Sequence, residues 1–223
     1  MTRHRWYRAT WPFALETLAK RLRAAEFSYS SGEGYIVDRW RKDTLEARYV
    51  QKLEVEEELV DPFGERILNR RTAFYETRFA VTQGGLLEVI DPGRGTQRFV
   101  SSLLEVTDFS LVIEPLRIDL DEWTRRLSDH LDAPHFVSLV QIAKVPLGPG
   151  ISGKFVFEGP EDVRRVASEF MGRLKGEQQK LQVVVGGEQA AIITLSANAS
   201  ARVSRDNDTL AAAVRKSVPP SRI

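Results

Sequence analysis

Leu45-Glu46-Ala47-Arg48-Tyr49-Val50-Gln51-Lys52-Leu53-Glu54-Val55-Glu56 decides the fold class. Leu45, Ala47, Tyr49, Leu53 and Val55 alternate with Glu46, Arg48, Lys52, Glu54 and Glu56. A period of two puts the two sets on opposite sides of a strand, one dry and one wet. Asp61-Pro62-Phe63-Gly64 then reads as a turn, because proline pre-sets φ and glycine accepts the unusual one. The chain returns through Ile67 to Val81. A tight turn sets Glu54 opposite Arg71, a cross-strand pair worth ~0.2–1 kcal/mol. Gly84-Gly85 reverses the chain into Leu86 to Ile90. Asp91-Pro92-Gly93 reverses it again before Arg98 to Val106, read with the same β region, and Phe109 to Ile113 adds a strand.

Upstream, Arg5 to Thr10 reads as a short strand. Pro12 suits a first helical position, with Thr10 or Trp11 near the cap. Phe13, Leu15, Leu18, Ala19, Leu22 and Ala25 form an apolar stripe at helical spacing, and Lys20, Arg21 and Arg23 complement the dipole near its end. Downstream, Asp119 caps a helix, with Glu122 completing a capping-box pattern. Trp123, Leu127 and Leu131 line one face of it and Pro134 ends it. Strands are expected at Phe136 to Val145 and Phe155 to Phe157. A helix from Pro160 carries Val163, Val166, Ala167, Phe170 and Leu174 inward. Leu181 to Val185 and Ala190 to Leu195 pair through Gly186-Gly187, and Ala197 to Val203 adds a strand. Asp206, Asn207 or Asp208 caps a last helix through Leu210, Ala213 and Val214, and Pro219-Pro220 stops it.

The fold class is therefore α+β, with two sheet-and-helix halves. Residues 1–133 form an N-terminal half with a long antiparallel meander, and residues 134–223 form a C-terminal half. Each runs strand, helix, antiparallel meander, helix. The same order occurs in each half of the TATA-binding-protein fold, and helix-grip folds are close to it. The likeness is one of element order, pointing to a pseudo-duplication, and no motif carries a family resemblance.

Composition narrows the function classes. A chain of 223 residues, 42% hydrophobic, buries a full core. Lys+Arg 32 against Asp+Glu 31 leaves a net charge of +1, so a nucleic-acid surface has to be a local patch. Cysteine is absent, which removes disulfides, thiolate nucleophiles and cysteine-based metal sites. No apolar run approaches the ~20 residues that span a bilayer. Arg3, Arg5 and Arg8 are followed by no apolar signal segment, so a cytoplasmic protein without membrane contact is expected.

The motifs do not assemble a catalytic centre. Gly148-Pro149-Gly150-Ile151-Ser152-Gly153-Lys154 fits G-x-x-x-x-G-K, but Phe155 replaces the Mg²⁺-ligating hydroxyl and Lys154-Phe155-Val156-Phe157 is strand-like. Pro149 also removes an amide donor, so a glycine-rich hairpin is the expected reading. Ser152 lies one residue short of G-x-S-x-G spacing. Asp129, His130, Asp132 and His135 cluster at a helix end, where capping and solvation explain them better than a metal. Glu54, Glu56, Glu57 and Glu58 read as a solvated strand end, with Glu57 beyond the covered part of the sheet. No catalytic residue, metal ligand or cofactor is assigned.

Basic and aromatic residues concentrate at Arg5, Trp6 and Arg8, again at Arg39, Trp40 and Arg41, and at Arg70 and Arg71. Arginine pairs with phosphates and a Trp ring offers a stacking platform. The expected function is a non-catalytic binding or assembly subunit that contacts a protein partner through these eight residues, with nucleic acid as a further contact. The alternatives are a small-ligand-binding protein of helix-grip type and an enzyme with a non-standard site.

Overall fold

The structure is a computed structural model and describes residues 1–93, 95–172, 175–205 and 207–219, with Gln189 described by its backbone alone. Leu174, Asp206 and Pro220, read above as a core residue, a cap and a helix stop, lie outside the described residues. In chain order the elements are β1 (Thr2–Thr10), α1 (Leu15–Ala24), β2 (Glu33–Trp40), β3 (Thr44–Val60), β4 (Arg66–Thr82), β5 (Leu86–Ile90), α2 (Thr96–Val106) and β6 (Val112–Pro115). There follow α3 (Leu120–Ser128), β7 (His135–Gly148), β8 (Ile151–Glu158), α4 (Arg164–Met171), β9 (Glu177–Val185), β10 (Ala191–Ser196), β11 (Ser200–Val203) and α5 (Asp208–Ser217). The α+β class holds, and the strands named below all pair antiparallel.

The chain forms two compact units, Ala9–Ile113 and Met1–Arg8 with Glu114–Ile223. Their limits fall within β1 and β6.

In the unit Ala9–Ile113 the strands stand in the order β2-β3-β4-β5. Tyr35, Leu45, Ala47, Tyr49, Phe79, Val81, Leu87 and Val89 are buried on one side of this sheet. Leu15, Leu18, Ala19 and Leu22 of α1 and Phe99 and Leu103 of α2 are buried with them. Phe79 and Phe99 meet at 4.8 Å between ring centroids, which packs α2 onto β4. Residues 98–106 are thus helical, correcting the β reading. Phe99, Ser102 and Leu103 fall on one helical face, and burying that face overrides the β-like composition around it.

A polar network fastens the same helix. Arg98 donates to Glu33 with both its Nε, at 2.9 Å, and its Nη2. The Tyr49 hydroxyl donates at 2.5 Å to Glu33 Oε2, the same oxygen that accepts from Arg98 Nε. The Arg98 guanidinium holds Glu33 below the usual carboxylate range. Burial, with the Glu33 carboxylate beside it, pushes the Tyr49 hydroxyl above its ordinary value. A carboxylate with a lowered pKa stabilises above its unfolded value of 4.5 and loses that contribution as pH falls through the folded value. A charged hydrogen-bond network is worth ~1.5–3 kcal/mol, and solvent at Arg98 lowers the figure to about 1–2 kcal/mol. Glu33→Gln is therefore expected to destabilise by that amount near neutral pH, with the gap to wild type closing below about pH 4.5. Urea unfolding midpoints across pH 3–7 measure it, and a gap that does not change with pH would remove Glu33 from this role.

In the second unit the order is β1-β11-β10-β9-β7-β8. β7 and β9 are not joined directly. The chain leaves β7 through a hairpin into β8, crosses by α4, and returns as β9 on the other side of β7. Val137, Val140, Ile142, Leu181, Val183, Ile193, Leu195 and Val203 form the sheet's buried face. Leu120, Trp123 and Leu127 of α3 and Leu210 and Val214 of α5 join them. Both helices have side-chain caps: Asp119 accepts from the Asp121 and Glu122 amides, and Asn207 from those of Thr209 and Leu210.

Candidate functional site

β3 and β4 are each 17 residues long and pair along their whole length, from Thr44↔Thr82 to Val60↔Arg66. β2 pairs β3 only as far as Gln51, and β5 pairs β4 only at Arg78 to Val81. Residues 52–60 and 66–74 therefore leave the sheet as a two-stranded arm, about 30 Å long at ~3.3 Å per residue. Neither of the arm's outer edges has a strand beside it among the described residues.

The arm closes through the five residues 61–65. Asp61 Oδ1 accepts from the Phe63 and Glu65 amides, both at 2.8 Å, and the Asp61 amide donates to the Glu65 carbonyl. Gly64 sits at φ +86°, the left-handed region that favours glycine. This loop is one residue longer than the tight turn expected, and the register moves with it. Glu54 lies opposite Thr72, not Arg71. The ion pairs formed instead are Glu56–Arg70 at 2.7 Å, Glu58–Arg66 at 3.1 Å and Glu57–Arg71 at 3.9 Å. All are exposed, so each contributes ~0–1 kcal/mol.

The arm's end is apolar. Phe63 is 92% exposed, Val60 67%, Leu68 56%, Ile67 52% and Leu59 47%. Leu59 pairs with Ile67 and projects on one face, whereas Val60 and Leu68 fall on the other. The sequence reads as a turn at Asp61 to Gly64 and a returning strand from Ile67, with no contact surface at the arm's end. The signal was there in two consecutive apolar pairs, Leu59-Val60 and Ile67-Leu68, which break the alternation on either side of Phe63. At the arm's base Phe74, Phe27 and Tyr29 meet edge to face at 5.8–6.2 Å.

The basic and aromatic residues expected to form one contact surface fall in both units. Trp6 is 2% exposed, stacked on His4 at 5.7 Å and edge-on to Trp123 at 5.5 Å, so it offers no ring to a partner. Its place on the inward side of β1 decides this. Arg5 is half-buried over the Tyr7 ring, and Arg8 is half-buried. In the other unit Arg39, Trp40 and Arg41 are exposed at the turn between β2 and β3, with Trp40 at 43%. Arg39 pairs with Glu46 and Trp40 with Leu45, so their side chains leave opposite faces. Arg70 and Arg71 lie opposite Glu56 and Val55. Ten residues of β3 separate Leu45 from Val55, about 33 Å, so these two groups do not converge.

The other motifs resolve as structure. Gly148-Pro149-Gly150 is the turn between β7 and β8, and Lys154 lies within strand β8. His135 is held between the Ala133 carbonyl and the Ser128 hydroxyl, each at 2.9 Å. Among the described residues no group of His, Asp or Glu is placed to hold a metal ion, and no helix is long and apolar enough to cross a membrane. No known protein family matches the chain, and no curated protein is detectably similar to it.

Proposed function

We propose that the protein is a non-catalytic binding or assembly subunit of the cytoplasm whose protein partner is engaged by the β3–β4 arm. The observation that carries this is the arm itself: a two-stranded projection with large apolar side chains in solvent at its end. Ordering such a ribbon costs conformational entropy that its own contacts barely offset, whereas a partner covering its apolar end makes up the balance. Over residues 52–74 six acids stand against four bases, which disfavours a polyanion on the arm. Nucleic acid is left as a further contact at Arg39, Trp40 and Arg41. The repeated order of strand, helix, meander and helix supports a pseudo-duplication of TATA-binding-protein-like or helix-grip-like type, with β8 as an addition in the second half.

The alternative reading, a small-ligand protein, is favoured by a groove of about 560 Å³ between α3 and α4, lined by Ile118, Leu120, Val140, Ala167 and Met171 among others. Purification of the tagged full chain from its native host, with and without nuclease, separates the readings. A stoichiometric protein that survives nuclease treatment is expected. Recovery of the chain alone, or with nucleic acid only, would overturn the proposal.

A further inference from the structure

The arm's end carries a more specific statement, which rests on the partner-binding reading above. We infer that the end of the β3–β4 arm is a plug that enters an apolar cleft with a basic rim on a different protein. A segment that lies flat on a partner needs apolar side chains on one face only. Here Leu59 and Ile67 occupy one face, Val60 and Leu68 the other, and Phe63 the apex. Side chains on both faces and at the apex are desolvated together only between two walls. Sheets pack face to face at ~10 Å, so each wall stands about that far from the ribbon's mid-plane.

Charge sets the rim. Over residues 57–68 there are four acids, Glu57, Glu58, Asp61 and Glu65, and one base, Arg66, which is paired with Glu58. Asp61 is turned inward as the loop's acceptor. Glu57 and Glu58 are paired with Arg71 and Arg66, but over residues 52–74 six acids stand against four bases and Glu65 lies at the tip, so the arm is net negative and the complementary surface is positive. The same charges disfavour anionic lipid and nucleic acid. They also disfavour a second copy of this chain joined edge to edge. A two-fold antiparallel pairing of β3 with β3 centred on Glu56 sets Glu56 against its own copy and Glu54 against Glu58, and β4 with β4 centred on Leu68 sets Arg66 against Arg70. Pairing β3 with β4 in the open antiparallel continuation spaces the two bodies only ~10 Å apart, too close for either.

The test uses the full chain with a photo-crosslinking benzoylphenylalanine in place of Phe63, irradiated in the native host. Crosslinked peptides are mapped by mass spectrometry, and co-purification without the crosslinker is compared between the wild-type chain, Phe63→Asp and Glu58→Lys/Glu65→Lys. The inference predicts one heterologous protein, crosslinked at apolar residues flanked by Lys or Arg. It predicts at least tenfold lower recovery for both variants, while the melting temperature stays within a degree or two because all three sites are exposed. Crosslinks to a second copy, to nucleic acid, or to a flat or acidic surface would overturn it, as would recovery unchanged by Phe63→Asp. If a partner co-purifies but ignores both variants, the plug is wrong and the binding subunit stands. If no protein co-purifies at all, the broader reading fails with it.

Discussion

Replacing Trp123 by alanine is expected to cost about 3–5 kcal/mol of folding stability, the range for a large aromatic removed from a core. Trp123 is 0% exposed and ties together the elements of its unit. Its ring receives Trp6 of β1 edge-on, at 83° between planes. Its Nε1 donates to the Ser217 hydroxyl at the end of α5 at 3.0 Å, and that hydroxyl donates on to the Val214 carbonyl. Arg126, one turn along α3, donates to the Ser217 carbonyl at 3.1 Å. Truncation leaves a cavity between α3 and α5 and strips Ser217 of a partner. Against a total of ~5–15 kcal/mol this is a large share. Urea denaturation followed by far-ultraviolet circular dichroism measures it. A loss under about 1 kcal/mol would mean the site relaxes to fill the space, and the packing described is not what holds α3. Trp123→Phe keeps most of the volume and loses the indole donor, so a smaller cost near 1–2 kcal/mol is expected.

Gly34→Ala is expected to destabilise by about 3 kcal/mol, combining overpacking with backbone strain. A β-carbon at Gly34 lies 2.5 Å from the Phe27 amide nitrogen, 2.6 Å from its α-carbon and 2.7 Å from the Glu26 carbonyl carbon. These are backbone atoms, so no rotamer change relieves the clash. The approach is close because the Tyr35 amide donates to the Ala25 carbonyl at 2.9 Å and the Phe27 amide to the Tyr35 carbonyl at 3.0 Å. Pushing the strands apart breaks both bonds and moves Glu33, the acceptor for Arg98 and Tyr49. Hydrogen exchange at residues 25–35 should rise together with the loss of stability. An alanine variant with unchanged exchange and midpoint would show that the two segments are not in contact in solution.

Much of the architecture was legible in the sequence because two periodicities report burial directly. Alternation over Leu45 to Glu56 marked β3, and helical stripes marked α1, α3 and α5. Asp119 announced its cap, and Asn207 is one of the three caps the sequence offered for the last helix, since only a short polar side chain reaches those amides. The reading failed where short-range signals compete. Residues 98–106 pack as a helix because Phe99, Ser102 and Leu103 find a buried face, a fact of tertiary contact. α1 begins at Leu15, with Ala14 rather than Thr10 or Trp11 as its cap. The hairpin register depended on one residue in the loop, and a single-residue shift exchanges the faces of every side chain beyond it.

The sequence by itself determined an α+β chain with a long hairpin, no cysteine chemistry and balanced charge, because these follow from composition and local spacing. Only the tertiary structure decided which residues meet solvent. It buried Trp6 against Trp123, held Arg39, Trp40 and Arg41 some 33 Å along the ladder from Arg70 and Arg71, and left Phe63 and its neighbours on a two-stranded arm with no further strand beside it among the described residues. The cause is where neighbouring strands end. β2 stops pairing at Gln51 and β5 covers only Arg78 to Val81, so the same alternating pattern is core at Tyr49 and an exposed arm at Leu59.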